Sequence, residues 1–401
     1  MTDFPNEFKR FVKEHGKDDP AKLRLKYHGS ATPWIGQAIS HIECLRKCGR
    51  KFGSFQPELM LFPLSVEQAT SEKVALLHAS VAESLIESPV FIVDMTCGLG
   101  IDLKAISQRL NCRSMGFDIQ PELASVAQYN FRNDANVEII AGNSVEWLTG
   151  YEGSRIDLIF IDPARRGAHG EKLYNIHDCN PDVSDLLPLF REKCRYTMVK
   201  LSPMLDVTQT LRDLPDTKAL YVVDEGGECR ELLAVLDFTT KTEAYEIIIW
   251  SDGKILKFNQ VEEDYSTAIY STPEIGQYLY EPSPAAMKAL PSKLLCEKFG
   301  LRKLHVNTHL FSSGSPVESL PGKWYLIEEI DDVSSSKLKE IGCRIGRADV
   351  AVRNFPITPE TLTKKLGIKS GGDRRVICCT VGGSANKSNR GVLLSLRHHF
   401  F

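Results

Sequence analysis

The 401-residue chain carries 49 Lys and Arg against 52 Asp and Glu, a formal net charge of −3, with 42% apolar and 25% charged residues. That balance supplies full cores for two or three domains and excludes a globally basic nucleic-acid binder, leaving that task to local patches. No apolar run reaches the ~18 residues of a membrane span, the 11 cysteines are odd in number without regular spacing, and residues 1–5 show no basic, apolar leader, which together predict a reduced, cytoplasmic protein.

Apolar residues at three- and four-residue spacing predict helices over 6–15, 34–46 and 70–86, so that residues 1–85 form an N-terminal helical region. Arg46, Lys47, Cys48, Gly49, Arg50 and Lys51 make a local basic cluster that reads equally as a phosphate contact or a solvated helix end. His41, Cys44 and Cys48 share a helix face but lack a second Cys/His pair at ligand spacing, so no metal is expected. Thr70 and Ser71 open the third helix with Glu72 in its first turn, an arrangement that caps a helix and also offers amides to a carboxylate.

An apolar run over 90–93 delivers the chain to Asp94-Met95-Thr96-Cys97-Gly98-Leu99-Gly100-Ile101-Asp102, a small-residue turn opening a helix near Asp102. Ile101 occupies the third-glycine position of a dinucleotide fingerprint, and no Lys-Ser/Thr pair of a phosphate loop follows. Asp94, at the strand end, would repel a pyrophosphate and suits a cationic amine instead. The next strand, 114–117, ends at Asp118, positioned to accept two ribose hydroxyls. Pro121 and Glu122 start a helix running to Asn130. A strand over 137–141 leads to Gly142-Asn143-Ser144, with Asn143 placed to bond a base edge. Strand 156–161, apolar apart from Asp157, ends at Asp162-Pro163-Ala164-Arg165. Strand and helix alternate over about 88–240, the signature of a doubly wound α/β sheet with ligands at its carboxyl strand ends.

The ordered set of Asp94-x-x-Cys97-Gly98-x-Gly100, Asp118, Gly142-Asn143-Ser144 and Asp162-Pro163-Ala164-Arg165 is similar to class I S-adenosylmethionine-dependent methyltransferases, particularly those acting on nucleic-acid bases. The resemblance implies a Rossmann-like methyltransferase domain over 86–280 with S-adenosyl-L-methionine as cofactor. It places Asp94, Gly98 and Gly100 at the methionine and ribose, Asp118 on the ribose hydroxyls and Asn143 at the adenine. Thr70, Ser71, Thr96, Asp102 and Ser144 complete the implied cofactor set, and Asp162 with Pro163 faces the target base. Ala164 replaces the family's second proline and Arg165 its aromatic residue, so a flipped base would stack on a guanidinium at 165.

A strand over 198–201 leads to Lys200-Leu201-Ser202-Pro203, where the resembling uracil-C5 enzymes carry a cysteine nucleophile; no cysteine stands here, and Cys194 and Cys229 read as core residues. Direct displacement at a base nitrogen fits best, with Asp162 accepting the N–H and Lys200 orienting substrate, neutralising a phosphate or simply solvated. Asp162, Pro163, Arg165 and Lys200 are thus the expected catalytic set. His169, Tyr174, His177, Asp178 and Asp182 lie on the following loop, where a lid belongs. Residues 222–233 read as a strand, a Gly226-Gly227 turn and a carboxylate-rich helix, either rimming the pocket or capping that helix.

Glu281-Pro282-Ser283-Pro284 reads as a domain linker. A helical stretch over 285–299 and an alternating strand over 304–311 follow; His305, Asn307 and His309 would share one face of that strand as a paired polar face. Strands over 324–330, 348–352 and 376–380 alternate with helices over 334–341 and 359–366. Val352-Arg353-Asn354-Phe355-Pro356, a Thr-Pro-Glu helix start, and the nearby Lys364, Lys365, Lys369, Arg374, Arg375, Lys387 and Arg390 resemble the THUMP-like C-terminal domain of a group of bacterial methyltransferases. The resemblance implies a small α/β end to the chain, a ferredoxin-like connecting segment over 281–323 and a THUMP-like RNA-docking domain over 324–401. Its partner would be tRNA or rRNA, held through Lys364, Lys365, Lys369, Arg374 and Arg375 by backbone and shape contacts. Two alternatives stay open: a small-molecule or protein acceptor with a structural C-terminal domain, and a non-catalytic RNA-binding protein.

Overall fold

Continuously apolar strands need cover on both faces, and the central strands have it. Strand β1 (Phe91–Asp94) is buried throughout, β2 (Arg113–Asp118) is buried except at its first residue, β3 (Val137–Ala141) lies at the edge and is half-exposed, and β4 (Ile156–Ile161) is again fully buried. With the strand Cys194–Leu201 they run in the order Cys194–Leu201, β4, β1, β2, β3, every pair parallel. Helices Ile101–Leu110, Pro121–Asn130 and Ser144–Thr149 follow β1, β2 and β3 in turn. The strand order reverses between β1 and β4, and a crevice at the carboxyl strand ends belongs at such a reversal.

This computed structural model describes residues 6–48, 51–61, 63–165, 175–241, 244–271, 274–334, 336–382 and 389–399. Their packing resolves into two units, residues 1–217 with 234–242, and residues 218–233 with 243–401. In the first unit the N-terminal helices are Asn6–His15, Pro20–Lys26 and Ile35–Cys48, packed through Phe8, Phe11, Leu23, Ile39 and Ile42. Helix Glu72–Leu85 starts on Ser71, whose hydroxyl accepts the Val74 amide.

The second unit corrects several expected elements. Residues 228–233 are strand rather than helix: Thr217–Glu225 and Glu228–Asp237 are neighbouring strands, joined by Gly226 and Gly227, both at positive φ. A two-glycine turn between apolar runs is a hairpin signal, and it outweighs the helical spacing of the carboxylates. The expected strand over 304–311 is likewise a hairpin, Arg302–His305 with Thr308–Ser313, so His305 and His309 lie on different strands. His305 Nδ1 instead accepts the Asn307 amide at the turn. The helical stretch over 285–299 is broken into Pro284–Ala289 and Ser292–Phe299, because Leu290 turns left-handed and Pro291 has no amide to continue the first helix.

Seven strands form the sheet of the C-terminal region, in the order Arg302–His305, Thr308–Ser313, Tyr278–Pro282, Gly322–Asp332, Arg390–His399, Arg374–Val381, Asp349–Arg353. Only the last pair is parallel. Alternation along Arg374–Val381 sends Ile377, Cys379 and Val381 into one core with Leu279 and Tyr325, and Val376 and Cys378 into another with Leu338, Ile341, Leu362 and Leu366 of the two flanking helices. The 11 cysteines form no disulfide, and among the described residues no helix is long and apolar enough to cross a membrane.

His41, expected only as a member of a Cys/His face, is a core histidine whose Nδ1 accepts the Leu61 amide at 3.1 Å; no group of metal-ligating side chains occurs among the described residues. Burial pushes its imidazole down to about 4. The unfolded chain takes up this proton near pH 6.5 and the folded chain does not, so the stability it supports is full above that pH and declines as the pH falls toward 4. We expect His41→Gln to lose about 2 kcal/mol less unfolding free energy than the parent between pH 7 and pH 5, as measured by urea denaturation.

Candidate active site at the carboxyl edge of the parallel sheet

The turn after β1 is fixed by its own backbone. The Met95 amide donates to the Phe160 carbonyl and the Cys97 amide to the Phe117 carbonyl, tying the turn to both neighbouring strands. Gly98 and Gly100 adopt φ of 53° and 84°, a region that costs a side-chain-bearing residue energy. Space differs between them. A Cβ at Gly98 would meet nothing within 4 Å, whereas one at Gly100 would lie 2.4 Å from the Phe131 ring. Asn130, which ends the helix after β2, holds the turn from behind, donating to the Leu99 carbonyl at 3.0 Å and accepting the Met60 amide at 2.6 Å.

Four carboxylates gather here. Asp94 is buried and accepts the Thr96 amide at 3.0 Å; burial pushes its carboxyl well above the ordinary range, with Asp102, Asp162 and Asp118 adding to the rise. Asp118 accepts the Gly98 and Gln120 amides at 3.1 and 2.8 Å, and burial raises it too, against the pull of those two bonds. Beside it Ile119 is exposed, an apolar side chain next to a polar acceptor. Asp102 is also subject to burial, but His78, Lys200 and Thr70 outweigh it and hold this carboxyl below its usual value. Its two oxygens meet Thr70 Oγ1 at 2.6 Å and the buried His78 Nδ1 at 2.7 Å.

Asp162 follows β4 directly and donates its amide to Thr96 Oγ1 at 2.7 Å. Because Ile161 pairs with Val199 in register, Lys200 falls beside Asp162. Its Nζ donates to Asp162 Oδ2 at 2.5 Å and to Thr70 Oγ1 at 3.1 Å. Lys200 thus belongs to the site rather than to a solvated strand end. A continuous polar chain runs His78, Asp102, Thr70, Lys200, Asp162, Thr96, Asp94 across four elements. Such a network holds an acceptor carboxylate and a cation in one orientation, ready for a nucleophile that must lose a proton.

The structure therefore brings together Thr70, Asp94, Thr96, Gly98, Gly100, Asp102, Asp118, Asp162 and Lys200. Ser71 serves as a helix cap, and Pro163 is buried just behind Asp162. Asn143 is engaged by its own helix: its oxygen accepts the Val145 and Glu146 amides and its nitrogen donates to Glu146, while Ser144 is buried beneath it. Arg165 lies in a short strand pairing with Cys179. Of the lid residues, His169 and Tyr174 lie outside the described residues; His177 and Asp182 pair with each other at 3.0 Å, and Ser184 Oγ joins them. Cys194 is pushed up to about 12 and Cys229 to about 11, in both cases by burial first, so neither offers a thiolate at neutral pH. The sequence reading missed His78, Asn130 and Ile119. His78 lies six residues after Glu72 on an apolar helix, and Asn130 ends one; a polar residue on an otherwise buried helical face was the available signal.

Residues 278–321 match the model of a ferredoxin-like domain and residues 322–395 that of a THUMP domain-like family. The chain is similar to an uncharacterized S-adenosylmethionine-dependent methyltransferase of Mycobacterium tuberculosis CDC 1551, 21% identical over 381 residues, covering 90% of this chain and 96% of the relative; the corresponding protein of strain H37Rv matches equally. It is also similar to the crystal structure of a candidate methyltransferase from Porphyromonas gingivalis W83, with 28% identity, a TM-score of 0.85 and 98% of both chains covered.

The two turn glycines separate conformational strain from steric conflict. We expect Gly98→Ala to cost about 1 kcal/mol, and Gly100→Ala to cost more, about 2–4 kcal/mol, because the Phe131 ring must also move. Urea midpoints of the two variants measured side by side would check the order.

Proposed function

We propose that this chain, a class I S-adenosylmethionine-dependent methyltransferase with a C-terminal THUMP-like domain, methylates a base nitrogen of structured RNA, tRNA or rRNA. The observation that carries the reading is the Asp162 carboxylate held by Lys200, with the Asp162 backbone amide anchored on Thr96 Oγ1, next to the glycine turn, in a chain whose residues 322–395 are THUMP-like.

The residues at the sheet edge fit S-adenosylmethionine. Asp94, raised by burial first and by its acidic neighbours in addition, gains most from a cationic partner such as an α-ammonium. Asp118, with both oxygens already oriented by backbone amides, is set to accept ribose hydroxyls, and exposed Ile119 offers an apolar surface to the adenine. Gly98, open above its Cα, lets a ligand approach the backbone closely. Asn143 acts on the adenine end indirectly, by capping helix Ser144–Thr149.

When bound, the cofactor supplies an activated methyl group on a sulfonium sulfur. The chain's own residues then have to align the acceptor nitrogen, exclude water and take a proton. Asp162 accepts the acceptor N–H, which raises electron density on the nitrogen as it attacks, and afterwards passes the proton to solvent. Lys200 fixes the carboxylate through Oδ2 and so orients it toward the acceptor. Thr70 and His78 with Asp102 position Lys200 in turn. Lys364, Lys365 and Lys369 are exposed on and after helix Pro359–Leu366 and give the RNA backbone a cationic surface. Arg374 and Arg375 contribute less to that surface, since Arg374 is paired with Glu328 and Arg375 with Glu281.

The test is transfer of labelled methyl groups to separated tRNA, rRNA, DNA and protein. We expect label in one RNA fraction and a loss of about 10²–10⁴-fold in Asp162→Ala with cofactor binding retained. Label in protein alone, or in no macromolecule while cofactor binds, would overturn the RNA reading. The double charge reversal of Lys364 and Lys365 to Glu is expected to raise KM for RNA with kcat preserved, read from initial rates at fixed ionic strength.

A further inference from the structure

Three stretches without a role in methyl transfer converge on one cavity inside the second unit. They are Asp224 and Gly227 of the two-glycine hairpin, the 281–284 segment expected as a linker, and Arg353-Asn354 of the turn before helix Pro359–Leu366. With Lys254, Asn307, His309, Lys323 and Arg375 they line a cavity of about 620 Å³. That volume far exceeds an inorganic anion and lies within the ~300–1,000 Å³ range of small-molecule sites.

The cavity wall is built around two arginines. Glu281 Oε1 accepts from Arg353 Nη2 at 2.9 Å and from Arg375 Nη2 at 3.1 Å, while its Oε2 accepts the Tyr325 hydroxyl at 3.0 Å. The Arg375 guanidinium also lies over the Tyr325 ring at 5.5 Å. Glu281 and Tyr325 therefore pre-orient a guanidinium pair whose charge one carboxylate only half neutralises. Of the other carboxylates lining the cavity, buried Asp224 already accepts from Ser251 Oγ and the Ala285 amide, and exposed Asp252 accepts the Gly226 amide.

Two polar atoms stand out. Three buried side-chain nitrogens or oxygens have no hydrogen-bond partner among the described residues, and two of them, Arg375 Nε and His309 Nδ1, belong to residues lining this cavity. A buried guanidinium N–H without an acceptor is rare in a finished core and calls for an anion. Lys323 adds a further exposed cation at the wall. Pro282, Pro284, Met287 and Leu310 supply apolar surface beside this cationic end, and Asn307 a planar amide. An anionic group joined to a flat, partly apolar body matches that division.

We propose that this cavity binds a nucleotide phosphate monoester, with Arg375 and Arg353 on the phosphate and the base against Pro282, Met287 and Leu310. The monoester comes from a free nucleotide or from the phosphorylated end of an RNA chain. The proposal stands apart from the methyl-transfer reading, because none of its residues belongs to the sheet-edge site.

The test is calorimetric titration of the full-length protein with adenosine, the four nucleoside 5′-monophosphates and inorganic phosphate, with S-adenosylmethionine titrated in parallel. We expect at least one monophosphate to bind more tightly than inorganic phosphate, the nucleoside not to bind, and Arg375→Gln to weaken binding about tenfold or more. Lys323→Glu, at an exposed position that folding does not depend on, is expected to weaken it as well. Competition by a 5′-phosphorylated oligoribonucleotide, but not by its 5′-hydroxyl form, assigns the ligand to an RNA end; no competition by either assigns it to a free nucleotide. Absence of nucleotide binding in protein that binds S-adenosylmethionine, equal affinity for inorganic phosphate, or parent-like affinity in both variants would overturn the proposal.

Discussion

Like charges confined to one edge of a parallel sheet are the constraint on which the first unit is built. Asp94, Asp102, Asp118 and Asp162 all end strands or start the helix behind one, and unit charges 4 Å apart at an effective dielectric near 20 oppose each other by about 4 kcal/mol. The fold answers each differently: backbone amides serve Asp118, a histidine and a threonine serve Asp102, a lysine from the adjacent strand serves Asp162. Asp94 accepts the Thr96 amide, and burial holds its carboxyl well above the ordinary range. A cationic ligand completes this arrangement, so the glycine turn, the register of Lys200 and the buried His78 all follow from one electrostatic demand.

The second unit solves a similar problem with opposite sign. Arg353 and Arg375 are brought together on Glu281, and the carboxylate that joins them comes from the strand Tyr278–Pro282, remote in sequence from both. The expected RNA set divides accordingly, with lysines on an exposed helix and arginines drawn into ion pairs with Glu328 and Glu281.

Much of the parallel sheet was legible because its strands are short apolar runs punctuated by Asp, Gly and Pro, signals that report local backbone and chain direction together. Asp94, Asp118 and Asp162 could be named because strand ends are where such a sheet presents side chains. The network around Asp102 was not legible: His78, Thr70 and Lys200 lie 24, 32 and 98 residues from it in the chain, and only the strand register brings Lys200 near. Asn143 adds a role the sequence did not announce, since a residue type suited to a ligand also caps the helix it precedes. In the second unit the helical spacing of carboxylates after Gly227 and the alternation through Val306-Asn307 misled for one reason. Local periodicity does not reveal a two-residue reversal, whose turn residues differ little from strand residues.

The alternation at Cys378 and Cys379, one side chain into each of two cores, limits the surface this region could offer to the proposed RNA. The strand Arg374–Val381 and its neighbour Arg390–His399 have no bare surface on which unstacked bases could lie flat, as they do on open sheets that read single strands. On that reading contact would be left to helix flanks, turns and strand termini, features suited to a phosphate outline and its spacing. Under the proposed RNA reading, a domain so constructed would discriminate by the contour of a folded RNA, and the nucleotide to be modified would be selected at the acidic edge of the other sheet.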